Sequence, residues 1–200
     1  VLGSPRYNSE WLDVLDSLRP KYANSVDSEL NVCFFPRMKH YFVQTEEIIS
    51  TLEMLNEFKD VRTLIKRHPS GQLLNTSLIA DLERVSILPD DVRSSSLIDW
   101  GDVFLSTGSS VVFDPIMKKK PVLELEYAHA NQGLVSSYMP ETHMSSNEDV
   151  FFKIHELREG DLREFYNNEN HARFRKEVIE PNGSDVLREW AKFIEEIPTL

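Results

Sequence analysis

Short apolar runs recur along the chain, each too brief for a helix and each separated from the next by a stretch whose hydrophobics fall at helical spacing. Leu30 to Phe35 is the first, rich in Val and Phe and ended by Pro36. After it, Thr45 precedes Glu46 and Glu47, and Ile48, Ile49, Leu52, Leu55 and Phe58 follow a helix period, with acidic residues where the positive helix end favours them. Val61 to Lys66 is the second run, stopped by His68-Pro69; Gly71–Asp81 reads as a helix ahead of a short strand, Val85–Leu88. The alternation continues with a short helix over Ser94–Trp100, a strand over Asp102–Ser106, a helix from Ser110 to Lys119 and a strand over Pro121–Leu125. From Val150 onward Phe151, Ile154, Leu157, Phe165, Phe174, Val178, Val186, Leu187, Trp190, Phe193 and Ile194 keep a helical pattern, while Asn131–Asn147 reads as a long loop or mobile lid.

Strands separated by helices of this kind are parallel and joined by right-handed crossovers, with helices on both faces. The expected architecture is a doubly wound, Rossmann-like α/β domain with a helical C-terminal third. At 200 residues and 40% hydrophobic content, the chain has material for one core, so residues 1–200 are read as a single domain. Against 33 Asp and Glu stand 22 Lys and Arg, a balance of −11 that repels a polyanion; nucleic acid is not an expected partner. The single cysteine, Cys33, lies in an apolar run and reads as a buried thiol, and no disulfide can form within the chain. No apolar run reaches the ~18 residues of a membrane span, and the opening residues lack a signal-peptide pattern, which together suggest the cytoplasm.

In a doubly wound sheet, ligands bind outside the carboxyl ends of the strands. The loop Ser106-Thr107-Gly108-Ser109-Ser110 leaves a buried strand and opens a helix. Free backbone N–H groups there face the cleft, Gly108 permits close approach of an anion, and the hydroxyls of Thr107, Ser109 and Ser110 add donors; the alternative is that Ser109 or Ser110 only caps the helix. At the end of the second strand, Pro69 holds His68 extended and outward, where an imidazole can donate to a phosphate or protonate a leaving one. Arg37 and Lys39, after the first strand, are a basic cluster able to neutralise a donor phosphate or simply to face solvent. Glu124 and Glu126 after the last strand could accept ribose hydroxyls or form an exposed acidic edge, and Asp114 is placed to support the Ser109–Ser110 loop. The run Lys118-Lys119-Lys120 falls at the far, negative end of the helix and is assigned to stability. Zinc-ligand spacing, a nucleophile elbow, a P-loop and a dinucleotide fingerprint are all missing from the sequence, so no metal or cofactor is expected.

The Lys66-Arg67-His68-Pro69 segment, with Asp102–Asp114 carrying Ser109-Ser110 and leading to Lys120-Pro121-Val122, resembles the C-terminal domain of GT-B glycosyltransferases. The likeness is to capsule and surface-polysaccharide transferases, CDP-glycerol glycerophosphotransferases and bacterial polysialyltransferases, and it covers roughly Val1 to Leu125. It implies that His68 binds or protonates a donor phosphate and that Ser109 and Ser110 hold it. Gly3 to Tyr7, with Arg6, looks like the segment entering from an interdomain cleft. The donor is then a nucleotide-activated sugar or polyol, transferred without metal to a polysaccharide acceptor. The partner is an N-terminal acceptor domain supplying the catalytic base, and the whole enzyme is cytoplasmic, associating peripherally with the inner face of the membrane. Other readings of the same sequence are a domain resembling the UDP-N-acetylglucosamine 2-epimerases and a non-catalytic sugar-nucleotide-binding or interaction module.

Overall fold

The computed structural model describes residues 3–18, 22, 30–37, 42–68, 76–131, 133–181, 183 and 186–196. Its centre is a six-stranded parallel sheet in the order β3-β2-β1-β4-β5-β6, formed by β1 (Leu30–Phe35), β2 (Val61–Ile65), β3 (Val85–Ile87), β4 (Val103–Ser106), β5 (Val122–Leu125) and β6 (His143–Met144). The winding reverses between β1 and β4, which pair directly, so their carboxyl ends open the crevice that such a sheet offers a ligand. Cα register runs straight across this edge, Phe35 beside Ser106 and Ser106 beside Glu124.

Continuous burial of Val32 to Phe35 and of Val103 to Ser106 follows from coverage on both faces, which is why these strands read as unbroken apolar runs. One face is covered by α2 (Thr45–Asn56), through Ile48, Leu52 and Leu55, and by α5 (Asn147–Glu159), through Val150, Ile154 and Leu157. The other carries α1 (Ser9–Leu18), α3 (Phe113–Met117), α4 (Leu134–Tyr138) and α6 (Asn168–Phe174), seated by Leu12, Ile116, Val135 and Phe174. A π-turn, Arg175–Ile179, extends α6, and α7 (Val186–Glu196) follows. Among the described residues, no helix is long and apolar enough to cross a membrane.

The doubly wound sheet and the helical final third agree with the sequence. Several local expectations are corrected. The described residues between 131 and 147 are not one long loop: they include α4, a 3-10 turn at Pro140–Thr142 and the edge strand β6, and Val135 and Met139 are buried. Ser94–Trp100 is only a 3-10 turn over Ser94–Leu97, and within Gly71–Asp81 the described part is a 3-10 turn at Thr76–Ile79. The Ser110–Lys119 helix is a three-residue 3-10 turn, Ser110–Val112, followed by five-residue α3. Cys33 is fully buried, as expected, and burial pushes its thiol well up.

Tying the domain together at its rim, the first and last described segments are joined. Glu180 accepts from the Ser9 amide (2.7 Å) and hydroxyl (2.5 Å) and from Arg175 Nε (2.6 Å). Ser4 N donates to the Ile179 carbonyl at 2.9 Å, and the Trp190 indole to the Gly3 carbonyl at 3.2 Å. Gly3 has φ +73°, and a Cβ there would sit 2.5 Å from Pro181 Cδ, so only glycine fits this junction.

Candidate functional site

The carboxyl edge of β4 is organised by Ser106. Its fully buried side-chain oxygen accepts from the Gly108 amide at 3.0 Å and the Ser109 amide at 2.9 Å. The turn is thereby held before any ligand arrives, and the expectation that these amides face the cleft free is corrected: the Ser106 hydroxyl occupies them. Amides heading a helical turn have no partner within it, and here that head is Ser110 and Val111. So few aligned peptides make only a small macrodipole, so hydroxyls and side-chain cations carry more of any anion binding than a helix end would. Thr107 faces β1 instead, accepting from the Arg37 amide at 2.8 Å, which sews the two loops of the crevice together. Ser109 adopts the extended cap conformation but makes no side-chain capping bond, which removes the capping reading of that residue. Gly108 takes φ +85°, a conformation that L side chains rarely adopt.

On one side of this loop lies a cavity of about 260 Å³ whose lining includes Ser109 and Ser110 together with His68, Arg67, Lys66 and Arg6. The end of β2 and the start of the chain thus meet the Ser109-Ser110 pair. Lys66 is buried and donates to the Asp90 carbonyl at 3.1 Å; Arg67 pairs with Asp90 at 3.0 Å, and His68 is exposed. Gathering cations at one place in a chain of net charge −11 makes this cavity a local attractor for anions. A neighbouring cavity of about 350 Å³ shares Arg6, Tyr7 and Lys66 and adds the carboxylates of Asp90, Asp91 and Asp114. Asp114 is therefore a buried residue of that second cavity, in addition to sitting behind the loop.

A separate cavity of about 170 Å³ shares Ser109 and Ser110, is lined further by Arg37, Gly108 and Glu124, and is walled by Phe113 and Val135. Glu124 was expected beyond the strand, on the surface or against a ribose; it lies inside β5 and is 1% exposed, so the exposed-edge reading is corrected for it. Neither carboxyl oxygen has a partner in hydrogen-bond geometry. Burial pushes its pKa up to about 7, an effect that the nearby Ser106 hydroxyl, Arg37 charge and Gly108 amide offset only in part. Glu126 is half-buried, bonded to the Ser136 hydroxyl and paired with His143 at 3.4 Å. The structure thus brings His68, Ser109, Ser110 and Arg6 together, places Arg37 and Glu124 in a separate cavity that shares Ser109 and Ser110, and engages Glu126 with α4 and β6. Lys39 and Pro69 lie outside the described residues.

Ser106, Lys66 and Tyr7 escaped the sequence reading of the site. The serine ends a buried strand, and its hold on the turn shows only in its two amide partners; the other two join the candidate site only through the tertiary arrangement. Lys118–Lys120 keep to the opposite end, where Lys120 Nζ donates to the carbonyls of Ile98 (2.8 Å), Asp99 (3.2 Å) and Gly101 (2.7 Å) and Lys118 pairs with Asp16 and Asp99.

No protein-family model matches the sequence, and no curated protein matches it. Solved structures do. They include UDP-GlcNAc 2-epimerase from Neisseria meningitidis bound to UDP-GlcNAc, at 14% identity and TM-score 0.58, covering 86% of this chain and 46% of that one. A putative UDP-N-acetylglucosamine 2-epimerase from Listeria monocytogenes superposes at 11% identity and TM-score 0.59, covering 94% and 52%. The spinosyn rhamnosyltransferase does so at 13% identity and TM-score 0.60, covering 86% and 48%. The likeness is one of fold, and the chain has a GT-B-type, Rossmann-like domain of the kind found in glycosyltransferases and in UDP-GlcNAc 2-epimerases. It spans about half the length of these proteins.

Proposed function

We propose that the chain is the donor-binding domain of a glycosyltransferase-like enzyme and holds the phosphate of a nucleotide-activated sugar or polyol. The observation that carries this reading is the single cavity lined by His68, Ser109 and Ser110. A phosphate there receives hydrogen bonds from the serine hydroxyls and the imidazole, with Arg6 and Lys66 supplying positive charge. In a transfer, the same donors stabilise the charge that grows on the departing phosphate, and His68 is the group placed to protonate it. The nucleoside occupies the adjoining 350 Å³ cavity, where Asp114, rather than Glu124 or Glu126, accepts ribose hydroxyls. Among GT-B enzymes, the His-Pro and Ser-Ser pairs keep surface-polysaccharide transferases as the favoured subfamily, working in the cytoplasm at the inner membrane face with a second, acceptor-side domain.

Calorimetric titration with CMP, CDP, UDP and GDP species tests the reading. At least one nucleotide is expected to bind, with His68→Ala and the double change Ser109→Ala/Ser110→Ala each weakening it about tenfold or more, the loss of a hydrogen bond to a charged group. No binding, or binding indifferent to both changes, overturns it. The 2-epimerase reading draws on the same fold; release of free UDP from a UDP-sugar without acceptor, by the protein joined to its second domain, would favour it.

A further inference from the structure

Glu124 is an unexplained carboxyl. It is 1% exposed, neither oxygen meets a donor in hydrogen-bond geometry, and it lines a cavity with Arg37, Gly108 and Ser109 on the face of β5 that Val122 shares with the α3 and α4 layer. Buried polar groups are as a rule hydrogen-bonded, and a fully buried acid whose nearest donors, the Ser106 hydroxyl and the Gly108 amide, fall short of hydrogen-bond geometry is costly. Isosteric apolar residues would pack β5 better at this register position. The cost falls away if a ligand completes the site.

The ligand's chemistry follows from the walls. Leu134, Val135 and Phe113 make one side apolar, while Arg37 and the Ser109 hydroxyl offer donors and Glu124 offers acceptors. The volume, about 170 Å³, is close to that of a cavity known to take a single six-membered ring. A compact polyhydroxyl group satisfies both kinds of partner. A group bearing its own carboxylate would instead place like charge against Glu124 in a desolvated space, a contact that costs far more than it would in water.

We propose that Glu124 is a specificity-determining residue: it accepts a hydroxyl of the transferred sugar or polyol on the α4 side of the Gly108–Ser109 loop and excludes a carboxylated one. This rests on the donor-binding reading above, with the phosphate in the His68 cavity, which shares Ser109 and Ser110 with this one. Other charged and titratable groups in the surroundings are Arg37 from the β1 loop, Glu126 and His129 after β5, and Glu141, His143 and Tyr166 from the elements packed beyond them. Since burial pushes Glu124 up to about 7, exclusion is complete only above that pH and relaxes as the solution is acidified.

The test compares UDP-glucose with UDP-glucuronate, which differ only by the oxidation of one hydroxymethyl to a carboxylate, by calorimetry on the native protein and on Glu124→Gln. Reading the affinity ratio divides out the shared nucleotide. The native protein is expected to prefer UDP-glucose by about tenfold or more at pH 8, with the ratio falling toward pH 6, and Glu124→Gln to bring it within about threefold at both. A ratio that ignores both the substitution and the pH overturns this inference while leaving the donor-binding reading standing. If neither sugar nucleotide binds and the nucleotide panel also fails, both fall together; if the panel succeeds with another base, the same comparison made with a neutral and a carboxylated donor of that base decides.

Discussion

Burying Glu124 has a thermodynamic signature apart from any ligand. In the unfolded chain a glutamate ionises near ~4.3, whereas in the fold burial pushes the pKa up to about 7. The folded state therefore binds the extra proton between these values, so this group's effect on stability is most favourable below the unfolded pKa and is lost as pH rises through the folded one. A rise of this size corresponds to roughly 3 kcal/mol. Glu124→Gln should be the more stable protein at pH 8 and the gap should close toward pH 5, as measured by urea unfolding of both proteins across that range. Legibility at this scale was uneven. His68 and the Ser109-Ser110 pair could be located because each follows a buried strand that the sequence displays plainly. Glu124 was named too, but its burial was hidden: in a four-residue strand, the boundary that separates inside from surface is finer than an apolar pattern can draw. Ser106 does not stand out within its loop, because a strand-ending serine looks like any other until its two amide partners are seen.

Long elements were legible and short ones were not. Helices α2 and α5, at 12 and 13 residues, show enough turns for periodicity to speak, and Ser146 capping the Asp149 amide marks the start of α5. Five-residue α4 and two-residue β6 fall beneath any periodic window, and a loop was the natural reading of both. The α1 signal was available: Ser9 precedes Glu10, and Trp11, Leu12 and Leu15 follow at helical spacing, yet Trp11 and Val14 stay exposed and the buried stripe is thin. In the basic run after α3, Lys120 acts through hydrogen bonds to carbonyls rather than as a helix-end charge. Lys120 gathers the carbonyls that end the Ser94–Leu97 turn segment and fastens it beneath β4. Lys120→Met keeps the aliphatic stem and strips the charge, leaving those carbonyls without their donor, and should cost about 2 kcal/mol in the urea midpoint analysis. Nucleotide affinity should change little, since the residue lies at the other end of the sheet from the Ser109 loop.

For the whole molecule, the alternation of runs and helices settled the architecture, because parallel strands with covering helices leave few ways to wind. The order of strands and the pairing of β1 with β4 are known only from the structure, while the place of ligand loops at the strands' carboxyl ends was legible from the alternation. The pattern also withheld the meeting of the chain's extremes at Glu180. Its carboxyl is pushed up by burial but pulled further down by hydrogen bonds from Ser9 and by Arg175, so it ends below the usual carboxylate range. A lowered value means its contribution is present above the unfolded pKa and disappears as pH falls through the folded one, in the acid range below ~4.3. Glu180→Gln is expected to remove about 1–2 kcal/mol at pH 7 and to match the native protein near pH 3, by thermal or urea unfolding. Arg6 and Tyr7 sit between Gly3 and Ser9, the points at which this clasp grips, and both line the cavity that holds His68. Trimming the polypeptide after Phe174 would thus slacken the mouth of a pocket to which no trimmed residue contributes, making the tail a remote custodian of the site at the other terminus.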